Sequence, residues 1–321
     1  MSKRTPNLPA VFDQLRLPVI GSPLFIVSTP QLVVAQCTAG IVGSLPALNA
    51  RPSSQLDEWL SEIRVNLATW DRDHPDSPAA PFAVNLIVHK SNERLEEDLS
   101  TCLRHNVKVY ITSLGAREEV NRAIHESGAF VFHDVINTRF ALKALEAGAD
   151  GLIAVAAGAG GHAGTKSPFA LIDELRRHFS GPLALAGAIS TGKGILAAQV
   201  LGADFAYIGS PFIATTEACA SETYKAAVAA ANSDDILYTN AFTGVDGNYL
   251  IPSIRAAGLD PENLPPPGAI NMGSGLKKTW KDIWGCGQGV ASVSSVQPAS
   301  AFILKLTREY MSARVESGMR A

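Results

Sequence analysis

Short apolar segments alternate with amphipathic segments between residues 18 and 213 of this chain. The apolar segments are mostly continuous rather than alternating, which is typical of β-strands that are covered on both faces. They span residues 18–23, 40–45, 82–88, 107–113, 129–135, 151–157, 182–189 and 205–213. The pattern therefore predicts eight buried strands.

The segments between these strands carry apolar residues at helical spacing. One face of residues 56–68 is formed by Leu56, Trp59, Leu60, Ile63 and Leu67. Similar patterns occur in residues 138–147, 192–201 and 217–231. Eight strand–helix repeats predict the α/β class and a (β/α)8 TIM barrel, for which about 250 residues is typical. A doubly wound open sheet is the alternative architecture.

The chain divides into a predicted barrel, residues 15–232, and a C-terminal extension, residues 233–321. Residues 233–297 lack helical periodicity and contain the turn-rich sequence PENLPPPGAINMGSG, so we expect this substrate-side segment to cover the barrel mouth. Residues 299–317 predict an amphipathic helix outside the barrel, with Phe302, Ile303, Leu306 and Tyr310 on one face. The polar, proline-rich residues 69–81 predict a surface loop.

Composition narrows the class of protein. The chain of 321 residues carries a formal net charge of −3 and has no basic stripe interleaved with aromatic residues, which argues against nucleic-acid binding. No apolar run is long enough to span a bilayer, and the N-terminal residues lack the apolar core of a signal peptide, so we expect no membrane partner. Four widely separated cysteines without metal-ligand spacing predict a reduced cytoplasmic protein with no bound metal.

The most informative local sequence is GLIAVAAGAGGHAG, residues 151–164. An apolar strand runs directly into small residues and a single imidazole, His162, with glycines close on both sides. The missing side chains would let a flat ligand approach the backbone, with His162 as the acid–base group beside it. The alternative interpretation is a histidine that only forms hydrogen bonds within a loop.

The seventh and eighth predicted strands run into glycine-containing turns, at Gly187 with Ala188 and at Gly209 with Ser210. Barrels frequently bind phosphate in the loops after these two strands, where backbone N–H groups converge. Each glycine could instead serve only a tight turn from strand to helix. Because two such turns follow adjacent strands, we favour a phosphate site.

Several of these sequences together resemble the nitronate monooxygenase family, formerly called 2-nitropropane dioxygenases. The resemblance rests on PVIGSPLF near the N-terminus, AGGHAG after the sixth strand, AGAIS after the seventh and GS after the eighth, and it covers residues 15–230. It implies an FMN-dependent barrel that oxidises alkyl nitronates, and nitroalkanes, with O2 to carbonyl compounds and nitrite. The expected partners are a small-molecule substrate and O2, and the question of a homodimer stays open.

The resemblance also implies roles for individual residues. His162 resembles the catalytic histidine of the family. The implied FMN contacts are Gly21, Ser22, Pro23, Asn85, Gly160, Gly161, Gly187, Ala188, Gly209, Ser210 and Gln288. Apart from the resemblance, His133 and Tyr249 are candidates for the substrate pocket, with core packing as the alternative for each.

The chain departs from the family pattern at three positions. Gly158 stands where a glutamate is usual, Gly21 where a glutamine is frequent, and Asp134 where one branch has a lysine. Two other functions therefore stay open. One is an NAD(P)H-dependent FMN reductase acting on quinones or enoyl thioesters, and the other is a flavin- or phosphate-binding module without turnover.

Overall fold

Eight parallel strands form the wall of a barrel in the computed structural model, which describes residues 8–266 and 282–318. The wall strands are β1 (Val19–Gly21), β2 (Gly43–Pro46), β3 (Phe82–Ile87), β4 (Val109–Ser113), β5 (Phe130–Val135), β6 (Gly151–Val155), β8 (Leu183–Ala186) and β9 (Phe205–Ile208). They pair in the order β1-β9-β8-β6-β5-β4-β3-β2, and a bridge between Ile20 and Val42 brings the two ends of this order together. Each wall strand coincides with or overlaps one predicted segment, so the predicted TIM barrel is confirmed.

Helices follow the wall strands and cover the outside of the barrel, and further helices lie in the C-terminal extension. They are α1 (Pro30–Thr38), α2 (Ser54–Asp73), α3 (Leu95–Arg104), α4 (Glu118–Glu126), α5 (Thr138–Glu146), α6 (Pro168–Arg176), α7 (Gly192–Leu201), α8 (Ser210–Ile213), α9 (Glu222–Ala230), α10 (Ile251–Ala256) and α11 (Ala299–Glu316). The predicted loop at residues 69–81 is wrong in its first part, because α2 continues to Asp73. Trp70 stacks on His74 with ring centroids 3.7 Å apart, which stabilises the last turn of the helix.

Alternation along the strands decides which side chains enter the barrel. On β5, Phe130 and Phe132 lie inside, whereas Val131 packs with the helices outside. Phe12, in a short helical turn before β1, packs on Phe130, Phe132 and Phe205 at centroid distances of 5.5, 5.9 and 5.1 Å. These rings fill the amino-terminal end of the barrel and leave the carboxyl-terminal end for a ligand.

A three-stranded sheet joins the C-terminal extension to the loop after β6. In this sheet β7 (Gly161–His162) pairs antiparallel with β11 (Gly247–Leu250), which pairs antiparallel with β10 (Ile236–Thr239). These strands were not predicted, because none of them is a continuous apolar run and they are defined by pairing between distant segments. Residues 267–275 of the predicted turn-rich segment lie outside the described residues.

The predicted terminal helix is confirmed as α11. Its buried face includes Phe302, Ile303, Leu306 and Tyr310, and the Tyr310 hydroxyl donates to Gln199 Oε1 on α7 at 2.5 Å. The division of the chain at residue 232 stays a prediction. In the described ranges, no helix is both long enough and apolar enough to cross a membrane.

Candidate active site

A cavity of about 1070 Å³ opens at the carboxyl-terminal end of the barrel strands. Most predicted site residues belong to its wall: Ser22, Pro23, Asn85, His133, Gly160, Gly161, His162, Gly187, Ala188, Gly209 and Ser210. They follow different strands along the chain, and closure of the barrel brings them together. Of the other predicted residues, Gly21, Tyr249 and Gln288 lie outside this wall. Within residues 8–266 and 282–318, no histidine, cysteine and carboxylate groups are arranged to hold a metal ion.

His162 is held in the cavity wall by the C-terminal extension. Its Nε2 lies 3.1 Å from Thr243 Oγ1, and this hydroxyl donates its single proton to the Val245 carbonyl at 3.1 Å. The Thr243 hydroxyl therefore orients the imidazole through Nε2. Burial lowers the pKa of His162 to about 4. The imidazole is thus neutral near neutral pH and can accept a proton.

Thr243 is a site residue that sequence analysis missed, since it lies 81 positions from His162 and no local motif marks it. The hydroxyl of Tyr249 approaches Thr243 Oγ1 to 3.4 Å. The Tyr249 ring is fully buried and packs edge-on against Phe242, with centroids 5.0 Å apart. Tyr249 therefore lies behind Thr243 and is not part of the cavity wall. From this position it contacts the Thr243 hydroxyl that positions His162.

The glycine-rich loop before β7 accommodates backbone from the C-terminal extension. A Cβ on Gly160 would lie 2.8 Å from the Gly287 nitrogen, and one on Gly287 would lie 2.5 Å from the Gly158 carbonyl oxygen. Gly161 has a φ of +65°, and a Cβ on Gly247 of β11 would lie 2.7 Å from the Gly161 carbonyl oxygen. The loop therefore carries only small residues for two reasons: one side lines the cavity, and the other side contacts the extension.

The two turns expected to bind phosphate lie beside each other, because β8 and β9 are paired strands. Gly187 has a φ of +138° and Ala188 a φ of +53°, a region that favours glycine and strains alanine. Ser210 begins α8, and its Oγ accepts a hydrogen bond from the Gly287 nitrogen at 2.8 Å. The small side chains in both turns leave backbone groups accessible to a ligand in the cavity.

Gly21 and Gln288 are not part of the cavity wall. A Cβ on Gly21 would lie 2.5 Å from Gln36 Nε2, so this glycine makes room for a side chain of α1. Gln288 has an exposed side chain, and its backbone nitrogen donates to the Gly158 carbonyl at 2.9 Å. The same carbonyl accepts from the Ala188 nitrogen at 3.3 Å, which links the extension to the turn after β8. Contact of Gly21 or Gln288 with a cofactor stays a prediction.

A row of polar side chains lines the cavity along the neighbouring strands β3, β4 and β5. Asn85 Nδ2 donates to Ser113 Oγ at 2.8 Å, and Ser113 Oγ donates to Asp134 Oδ2 at 2.6 Å. Burial raises the pKa of Asp134 to about 6, and the hydrogen bond from Ser113 opposes this shift. The sequence had marked Asp134 only as the residue that stands where one branch of the resembled family has a lysine.

His133 occupies the opposite face of β5 from Asp134, because side chains alternate along a strand. Its Nδ1 lies 2.7 Å from Thr112 Oγ1 on β4, and burial lowers its pKa to about 4. The cavity wall continues past the barrel to Glu118 of α4 and Lys143 of α5, and His133 belongs to this continuation. These contacts favour the packing interpretation of His133 over a role beside the barrel mouth.

Comparison with known proteins decides the family. The family model described as nitronate monooxygenase matches residues 10–250. The chain belongs to the nitronate monooxygenase family. It is therefore an enzyme and an oxidoreductase. A nitronate monooxygenase of Paraburkholderia phytofirmans is 29% identical to it over 91% of this chain and 92% of the relative.

Solved structures share the fold of this nitronate monooxygenase family member. Nitroalkane oxidase from Streptomyces ansochromogenes superimposes with a TM-score of 0.80 and 23% identity, covering 96% of this chain and 100% of that chain. FabK from Thermotoga maritima superimposes with a TM-score of 0.77 and 22% identity, covering 96% of each chain. At these identities the likeness concerns the fold alone.

The structure gives a physical reason for one departure from the pattern of the nitronate monooxygenase family. Gly158, which stands where a glutamate is usual, has a φ of +84°. A Cβ at this position would lie 2.9 Å from Gln288 Oε1 and 3.3 Å from the Ala188 Cβ. The positive φ therefore favours glycine at this position, whereas the Gln288 amide is the end of an exposed side chain that can turn away.

Proposed function

We propose that this family member is an FMN-dependent enzyme that oxidises alkyl nitronates, and nitroalkanes, with O2 to carbonyl compounds and nitrite. The observation that carries the proposal is the neutral imidazole of His162 in the wall of a cavity at the carboxyl end of a barrel. Membership of the nitronate monooxygenase family supports the oxidation of nitronates. The site geometry supports a bound cofactor and a base.

The cavity fits FMN in size and lining. Its volume of about 1070 Å³ is just above the range of about 300–1000 Å³ that is typical of small-molecule pockets, which leaves room for a substrate beside a cofactor. We infer that Gly187, Ala188, Gly209 and Ser210 would hold the phosphate, through backbone N–H groups other than that of Ala188, which donates to the Gly158 carbonyl at 3.3 Å. When bound, FMN would supply the acceptor for electrons from the substrate and their route to O2.

The flat ring of the cofactor would lie against a preformed part of the cavity wall. The residues that we propose for this contact are Ser22, Pro23, Asn85, Gly160 and Gly161. The Asn85 amide is already oriented, since its Nδ2 donates to the Ile111 carbonyl at 3.1 Å and to Ser113 Oγ at 2.8 Å. Such preorganisation lowers the entropic cost of binding a rigid ligand.

His162 would act as the general base for a neutral nitroalkane. Its unprotonated ring would take the acidic proton from the carbon next to the nitro group, while Thr243 holds the opposite ring nitrogen. A nitronate has already lost this proton, so its oxidation would not require the base. The contribution of His162 therefore depends on the ionisation state in which the substrate binds.

An NAD(P)H-dependent FMN reductase acting on quinones or enoyl thioesters is the second candidate. The observation that favours it is the extent of the cavity, whose wall continues past the barrel mouth to Glu118 and Lys143. This continuation gives space for a second, extended ligand. Nicotinamide binding in this space would make the flavin an acceptor of electrons from NAD(P)H.

Anaerobic mixing separates the two candidates. FMN-loaded protein is mixed with an alkyl nitronate, with NADH and with NADPH in separate experiments, and the flavin absorbance is followed. We expect the nitronate to bleach the flavin, and O2 to restore the colour with release of nitrite. Bleaching by NADH or NADPH but not by nitronate would establish the reductase instead. A yellow protein that none of the three bleaches would contradict both candidates and indicate a binding module.

A further inference from the structure

Asp134 places a carboxyl group in the cavity wall that the proposed reaction does not use. It is near the carboxyl end of β5 and shares a strand face with Phe130 and Phe132, which fill the barrel interior. A carboxyl group in such surroundings is costly to ionise, so its presence indicates a function rather than a contribution to stability.

The hydrogen bonds around Asp134 have a fixed direction. Asn85 Nδ2 donates to the Ile111 carbonyl at 3.1 Å and to Ser113 Oγ at 2.8 Å. Because an amide nitrogen can only donate, Ser113 Oγ accepts from Asn85 and uses its own proton to bind Asp134 Oδ2 at 2.6 Å. Asn85 and Ser113 thus hold one carboxyl oxygen of Asp134 in place and favour the ionised form.

The groups that face Asp134 from other elements are uncharged near neutral pH. Tyr207 of β9 interacts with it across the barrel, but burial raises the pKa of this phenol, which hydrogen-bonds to Ser22. His133, on the opposite face of β5, and His162, elsewhere in the cavity wall, are also neutral, because burial lowers the pKa of each to about 4. Within the described ranges, no cation forms an ion pair with Asp134.

The other charged residues of the cavity wall do not compensate Asp134. They are Glu118, Lys143, Glu146 and Asp246. All of them are exposed, so solvent and salt screen their charges. Asp134 lies deeper, and in its ionised form it dominates the electrostatic field at the barrel mouth.

We propose that Asp134 tunes the reduction potential of the flavin that this cavity takes up, by adding a negative charge to the cavity when its carboxyl is ionised. The inference rests on the FMN binding proposed above. Reduced FMN carries a negative charge on its ring near neutral pH, whereas the ring of oxidised FMN is neutral. An ionised Asp134 repels this added charge and therefore favours the oxidised cofactor.

The effect has a defined dependence on pH. Burial raises the pKa of Asp134 to about 6, so the carboxyl is mostly neutral below this pH and mostly ionised above it. The potential of the bound flavin should therefore fall more steeply with rising pH than it does with an uncharged residue at this position. The hydrogen bond from Ser113 lowers the pKa, so its loss should move the steeper region to higher pH.

An anaerobic redox titration of the FMN-loaded protein from about pH 5 to about pH 8 tests the proposal. Above about pH 6, we expect the reduction potential of FMN in Asp134→Asn to be about 30 mV higher than in the wild type. For two electrons, this difference corresponds to an about tenfold greater preference for reduced FMN. Near pH 5 the reduction potential of FMN should be the same in the two proteins, because Asp134 is then neutral in the wild type. Ser113→Ala should retain the steeper region but at higher pH. Glu118→Gln, the same change of carboxylate to amide at an exposed wall position, is the matched control and should not shift the potential.

Equal potentials of the wild type and Asp134→Asn at every pH would overturn the proposal while FMN binding stands. An equal shift in Glu118→Gln would also overturn it, since any wall carboxylate would then have the same effect. If Asp134→Asn does not fold, the direction of the Ser113→Ala shift decides. A protein that takes up no FMN would overturn both this proposal and the function on which it rests.

Discussion

His162 and Asp134 line one cavity, and burial shifts the pKa of each toward its neutral form. The pKa of His162 falls to about 4, and that of Asp134 rises to about 6. Both shifts have the same cause, because partly desolvated surroundings disfavour a charge of either sign. At the scale of residues, the site therefore contains a base that is ready at neutral pH and an acid whose charge changes just below it.

Replacing His162 by asparagine should separate the two substrate forms. With a neutral nitroalkane, we expect kcat/KM to fall by about 10²–10⁴-fold, the usual contribution of a general base. With a preformed nitronate, kcat/KM and FMN content should change little. In the wild type, the contribution of the base should persist as pH falls and be lost only near pH 4, where His162 becomes protonated. Steady-state kinetics with both substrates across pH measure these effects.

His89→Asn is the matched control for this prediction, since His89 is another imidazole of the same cavity wall. Its kinetics with both substrates should resemble those of the wild type. If His162→Asn lost nitroalkane and nitronate turnover equally, His162 would not be the base. Full nitroalkane turnover in His162→Asn would remove the residue from the mechanism.

Local sequence singled out His162 as a candidate but not the groups that contact it. The imidazole stands in a conspicuous glycine-rich loop, whereas Thr243 and Tyr249 reach it only through the fold. Asp134 lies in an ordinary apolar strand, and its inward direction depends on the register of β5 in the barrel. Sequence motifs therefore indicate a candidate group, while the pKa of that group follows from tertiary burial.

At the scale of elements, the C-terminal extension fixes the loop that carries His162. Asn248 of β11 is buried, and its Nδ2 donates to the Ala159 carbonyl at 2.6 Å. The Gln288 nitrogen donates to the Gly158 carbonyl at 2.9 Å, one residue away along the same loop. These contacts connect two segments that are far apart in sequence, so the loop geometry depends on the extension.

Asn248→Ala should therefore destabilise the protein. Loss of the amide leaves the Ala159 carbonyl without this donor, and we expect the free energy of unfolding to fall by about 1–3 kcal/mol. Urea denaturation measures the change. Asn66→Ala, the same substitution at an exposed position of α2, is the control and should stay within about 0.5 kcal/mol of the wild type. Similar stabilities of the two variants would show that the contact does not hold the loop.

The elements that sequence analysis predicted differ physically from those that it missed. The wall strands are continuous apolar runs, because helices and the barrel interior cover both faces. Strands β7, β10 and β11 are short and are defined by pairing between distant segments. The end of α2 was missed because its stabilising contact, Trp70 on His74, lies within a polar sequence.

At the scale of the whole molecule, the closed barrel converts scattered sequence positions into one cavity. Ser22 follows the first wall strand and Ser210 follows the last, yet both line the same wall, because β1 pairs with β9. The number of apolar segments predicted the barrel, and the barrel predicts a site at the carboxyl ends of its strands. The cavity volume and its negative charge depend on side-chain packing and could not be predicted from the sequence.

Titration of the apoprotein with FMN tests whether this cavity binds FMN by its phosphate. Quenching of flavin fluorescence should saturate at one FMN per chain, and riboflavin, which lacks the phosphate, should bind more weakly. Gly209→Val should weaken binding, because a Cβ there would lie 3.3 Å from Ser22 and Leu24 and would displace the turn proposed to hold the phosphate. A protein that takes up no FMN, or that binds riboflavin as tightly as FMN, would contradict the account.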